Sequence, residues 1–154
     1  MARMVRIKVG PYALSYVEFG SGLRDGLVVS SVLLAREGRK VFATRRTEAS
    51  GTEDFVLLRK LYGGTGVTTE MLADKVTGIE LVLESPEQGK KWRFVLEHKN
   101  LGFEYFLGEG VGGTGYSGVA RGGLVDSGEE WTGPAFSEVM RFPKKSWLLN
   151  KNYA

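Results

Sequence analysis

Cysteine is absent from this 154-residue chain. Its absence excludes disulfides, thiol catalysis and cysteine-based zinc sites. Histidine is nearly absent too: His98 stands alone, and one imidazole builds no metal site unless carboxylates or a second subunit complete it. Amides are scarce, with Gln88, Asn100, Asn150 and Asn152 the full set. With Lys, Arg and Glu plentiful, that composition points to a thermophilic source. No apolar run approaches the roughly 20 residues of a membrane helix. The longest, Gly26 to Ala35, is broken by Ser30 and Ser31. The basic N-terminus is not followed by an apolar signal core. The chain therefore reads as cytoplasmic, with no membrane partner.

What is present is ordinary for a globular protein. Hydrophobic residues make up 42% and charged residues 25%, enough apolar surface for a core without staples. The length suits a single domain, residues 1–154. Net charge is only +3, but it is unevenly placed. Residues 1–17 and 139–154 carry no acid and together hold +7, which leaves −4 for the middle. Basic ends on a mildly acidic body suit an anionic partner.

The hydrophobic pattern predicts an α+β fold, mainly antiparallel strands with two short central helices and a C-terminal helix. Val5–Val9 and Ala13–Phe19 alternate as strands. Leu27–Leu34 and Lys40–Arg46 form a hairpin about Arg36-Glu37-Gly38-Arg39. Thr52 caps a helix in which Phe55, Leu58, Leu61 and Tyr62 share a face. A second helix is predicted over Thr69–Val76. Ile79–Glu84 and Lys91–Lys99 form another hairpin, and Phe103–Leu107 a further strand. Residues 108–123 hold eight glycines and read as a loop. A helix is predicted within Glu129–Arg141, and a basic tail covers 141–154.

Little of this carries chemistry. Gly108, Gly110 and Gly113 satisfy G-x-G-x-x-G, but no helix start follows to receive a pyrophosphate. His98 shares strand parity with Trp92, Phe94 and Leu96, which reads as a structural imidazole. No catalytic residue, metal ligand or cofactor site is identified, and the sequence leans away from an enzyme. The basic hairpins are more informative. Arg36, Arg39, Lys40, Arg45, Arg46, Lys90, Lys91 and Arg93 are placed to grip phosphates, Tyr105 to stack on a base, and Lys144 and Lys145 to extend the contact. The reading is a single-stranded nucleic-acid binder. The order of elements, strands then a helix given twice, resembles Whirly-type single-stranded DNA-binding proteins in topology alone. Two alternatives remain. One is a winged-helix-like duplex DNA binder built on residues 55–99. The other is a structural or assembly module, such as a viral one, that forms homo-oligomers through its C-terminal segment.

Overall fold

The computed structural model describes residues 1–21, 26–69, 74–108 and 111–142. Every regular element among them is a strand: β1 (Ala2–Val9), β2 (Tyr12–Gly20), β3 (Val28–Arg36), β4 (Arg39–Thr44), β5 (Phe55–Tyr62), β6 (Val76–Ser85), β7 (Lys90–Gly108), β8 (Val111–Leu124) and β9 (Trp131–Arg141). They form one antiparallel sheet in the order β4-β3-β2-β1-β9-β8-β7-β6-β5. The sheet curls into a half-barrel. Phe42 of β4 meets Trp92 of β7 at 5.6 Å between ring centroids, and Tyr12 of β2 meets Phe94 of β7 edge-on at 5.8 Å. Val56 N–H donates to the Arg46 carbonyl at 2.9 Å, which ties the two edge strands together.

Alternation decides which residues face inward. In β1, Val5, Ile7 and Val9 are buried while Arg6 and Lys8 are exposed; in β7, Trp92, Phe94 and Leu96 are buried while Lys91 and Arg93 are exposed. Across strands the inner face joins Tyr12, Leu14, Val32, Leu34, Leu81 and Leu83 into one core. The β3–β4 turn is tight because Glu37 and Gly38 both take positive φ, 51° and 77°, as a two-residue hairpin loop of this twist requires.

Two expected helices and one expected loop are corrected, and with them the α+β class and the resemblance in element order. Phe55–Tyr62 is β5, paired in register with β6. Its run Phe55-Val56-Leu57-Leu58 suits either period, and pairing with β6 satisfies its backbone while Val56 and Leu58 face the core. Of the helix expected at Thr69–Val76, residues 70–73 lie outside the described residues, Asp74 and Lys75 take no regular structure, and Val76 opens β6. The expected C-terminal helix is β9, bonded to β1 on one side and β8 on the other. Pro134 is tolerated there because its pairing is with Val119 of β8, one residue beyond the last β1 pair, Ile7 with Ala135. The glycine-rich stretch is β8. Tyr105 and Phe103 lie flat over Gly113 and Gly115: a Cβ on Gly113 would stand 2.7 Å from the Tyr105 ring, and one on Gly115 would run into Phe103. Aromatic cover of this kind lets glycine occupy a strand interior.

Candidate functional site

Strand register brings polar residues together on the inner face, at the end of the core nearest β1 residue 3. One cross-strand row runs Glu18, Arg3, Val139, Thr114, Glu104. The next runs Tyr16, Val5, Ser137, Tyr116, Leu101. Arg3 is in this row because it has the inward parity of Val5, Ile7 and Val9. It is only 4% exposed, and its Nε has no hydrogen-bond partner. Among the described residues it forms no ion pair. A buried charge left in that state is expensive.

His98 sits beside it, fully buried. Its Nε2 is 2.8 Å from the Ser137 hydroxyl, and its ring stacks on Tyr116 at 4.0 Å with 4° between planes. Nδ1 has no partner. Burial pushes the His98 pKa below its ordinary value; the backbone of Val76 and Val67 opposes this, and the Arg3 charge adds to the lowering. The imidazole is therefore neutral at neutral pH. A test follows. A depressed folded-state pKa means that below the ordinary value of 6.5 the unfolded chain takes up a proton that the folded chain refuses. Stability should fall as pH drops through that value, and His98→Gln should flatten this part of a stability–pH profile measured by urea unfolding. An unchanged slope in the variant would refute the assignment.

Asp74 completes the polar rim. It accepts from Lys60 Nζ at 2.5 Å and from the Tyr62 hydroxyl at 2.8 Å. Burial alone would raise its pKa, but the Lys60 and Tyr62 hydrogen bonds and the Lys60 charge leave it lowered. The carboxylate is ionised and neutralised by Lys60.

Between these groups lies a cavity of about 20 Å³, with Arg3, Arg141, Asp74, His98, Thr114 and Ser137 supplying its polar lining. Val76, Ile79, Val139 and Tyr116 supply the apolar walls. That volume holds one water-sized group. The Thr114 hydroxyl, 1% exposed, also has no partner. The site is thus a small pocket with unspent hydrogen-bonding groups and excess positive charge. Ser137 and His98 have the spacing of a nucleophile and base. Among the described residues no carboxylate orients Nδ1, however, since Asp74 is held by Lys60 and Tyr62, and both partners are buried. Hydrolytic chemistry of the serine type does not fit.

Four of the residues expected to grip phosphate are engaged by acids instead. Arg36 is bonded to Glu129 at 2.8 Å and to the Tyr12 hydroxyl at 2.9 Å. Arg46 pairs with Glu53, Lys91 with Glu84 at 3.5 Å, and Arg93 with Glu80 at 2.5 Å. Arg39, Lys40, Arg45 and Lys90 are exposed and carry no ion pair among the described residues. Arg39 and Lys40 lie at the β3–β4 turn, Arg45 past the opposite end of β4, and Lys90 at the start of β7. Tyr105 stacks on Phe103 at 6.3 Å on the outer face. Lys144 and Lys145 lie outside the described residues.

Sequence reasoning passed over Arg3, Asp74, Thr114, Tyr116 and Ser137. One signal was available: Arg3 is a charge at inward parity in an otherwise apolar strand. Thr114 and Tyr116 were hidden by reading β8 as a loop, and Ser137 by reading β9 as a helix.

Comparison with known proteins points elsewhere than nucleic acid. A family model described as Diels-Alderase-like matches residues 1–143. The chain is 46% identical over 149 residues to Diels-Alderase ORF3 of Pyricularia oryzae, covering 97% of this chain and 38% of that protein. It is 44% identical over 149 residues to Diels-Alderase cheD of Chaetomium globosum, covering 97% of this chain and 34% of that one. The crystal structure of CghA superposes with a TM-score of 0.80 at 25% identity, over 94% of this chain and 41% of that one. This chain thus spans well under half the length of these relatives. The match overturns the single-stranded nucleic-acid partner and the winged-helix alternative, the latter also for want of helices among the described residues.

Proposed function

Because the chain belongs to the Diels-Alderase-like family, we infer that its inner-face pocket is the carbonyl-binding end of a cyclase site acting on a small molecule. A Diels–Alder closure converts two π bonds into two carbon–carbon σ bonds. The diene's remaining π bond shifts to its centre; no proton or leaving group is transferred and nothing is oxidised or reduced. A protein accelerates it by folding the substrate so that diene and dienophile meet, and by polarising a carbonyl conjugated to the dienophile. The second task needs donors held in a dry place. The observation that carries the reading is the pairing of unpartnered, buried Arg3 and Thr114 with a cavity that admits one carbonyl-sized group.

In this mechanism Arg3 and the Thr114 hydroxyl donate to the carbonyl oxygen, drawing electron density from the dienophile. Tyr116, fixed by its stack on His98, and Val139 keep water from the oxygen. The cavity cannot hold a polyene chain, so the diene lies outside it.

The test is cyclisation of a linear probe bearing a conjugated diene tethered to an α,β-unsaturated ketone. The wild-type chain should accelerate closure over the uncatalysed rate. Thr114→Val should lose about 10²-fold of that acceleration, the loss typical of one removed donor. A wild-type rate equal to background, together with no probe binding, would end the proposal.

A further inference from the structure

The same cavity has a property that ring closure does not require. Arg3 and Arg141 both line it, and neither forms an ion pair among the described residues. The one carboxylate among its described lining residues, Asp74, is already paired with Lys60 at 2.5 Å. Two guanidiniums against one carboxylate that Lys60 already holds leave the described lining with net positive charge; Glu104, beside Thr114 in the same row, is not in that lining. Thr114 Oγ1, Arg3 Nε and His98 Nδ1 are all buried without a partner. Such groups are rarely left empty-handed in a folded protein.

We propose that this cavity is a binding site for a monatomic anion, a halide. Size selects the class. About 20 Å³ suits an ion little larger than water, which favours a monatomic anion over a tetrahedral one such as sulfate. Charge selects the sign, since two guanidiniums face the space. Donor geometry supplies specificity: the Thr114 hydroxyl and Arg3 Nε–H donate to the ion. Halide binding stands on this geometry alone. Competition between halide and a substrate carbonyl for the pocket rests on the proposed function.

Thermal unfolding in chloride-free buffer tests the site. Sodium chloride or bromide at roughly five times its dissociation constant should raise the melting temperature by about 2–4 °C. Sodium sulfate and sodium gluconate at matched ionic strength should not. Thr114→Val should weaken halide affinity roughly tenfold, and Arg141→Gln should do likewise. Arg3→Gln should abolish the response; if it does not fold, the Thr114 and Arg141 variants decide. Equal stabilisation by gluconate would overturn the proposal, as would a halide effect unchanged in both of those variants. The titration contains no organic substrate, so a halide failure leaves the cyclase reading standing. A failed cyclisation assay likewise leaves the anion site standing.

Discussion

Phe94→Ala should lower the unfolding free energy by about 3–5 kcal/mol, the usual loss for an emptied core phenylalanine. Phe94 is fully buried, and its ring meets Tyr12 edge-on at 5.8 Å. That contact joins β7 to β2, strands from opposite wings of the sheet. The change therefore removes packing from the seam that keeps the half-barrel curled. Neighbouring strands cannot collapse into the void, because each is bonded to a strand on either side. For a chain of this length the loss corresponds to a melting temperature lower by on the order of 10 °C. Leu107→Ala is the control: Leu107 is 74% exposed and its truncation should cost less than about 0.5 kcal/mol. Equal effects from the two variants would mean that the wings are not held by this seam.

The parts of the fold that could be read from the residues were those with two agreeing local signals. At Arg36-Glu37-Gly38-Arg39, turn chemistry and flanking β-branched residues pointed the same way, and the hairpin β3–β4 lies there. Lys91–Lys99 had strict alternation and lies in β7. The errors fell where local preference was opposed by a partner far along the chain. Glycine at 112, 113 and 115 has poor strand propensity, but Tyr105 and Phe103 of β7 cover two of these positions. Thr52, Glu53 and Asp54 are good helix-start residues, yet Thr44 Oγ1 donates to the Asp54 carbonyl at 2.8 Å and the chain turns into an edge strand instead. The site suffered most, because it is assembled by register across β1, β9, β8 and β7. No local window contains Arg3, Thr114 and Ser137 together. The arginines misled for the complementary reason: Arg36 and Arg93 are conspicuous in the chain, but Glu129 and Glu80 neutralise them in space.

Arg3→Met separates a structural residue from a functional one, because the two roles predict opposite signs. Arg3 is buried without an ion pair among the described residues, and Val5 and Val139 are its neighbours on the inner face. Methionine matches its stem in length and removes the desolvated charge. Replacing a buried, poorly compensated charge by an apolar side chain of similar volume stabilises by about 1–4 kcal/mol, so denaturation should require more urea. Cyclisation of the linear probe should instead slow by about 10²–10³-fold, since the stronger carbonyl donor is gone. Adding bromide should shrink the stability gain, because the ion relieves in the wild type the strain that the substitution removes. A variant both less stable and less active would mark Arg3 as part of the scaffold and no more. Gain in one measurement with loss in the other is the signature of a charge retained against the interest of the fold, which is where functional groups are expected to stand out from their surroundings.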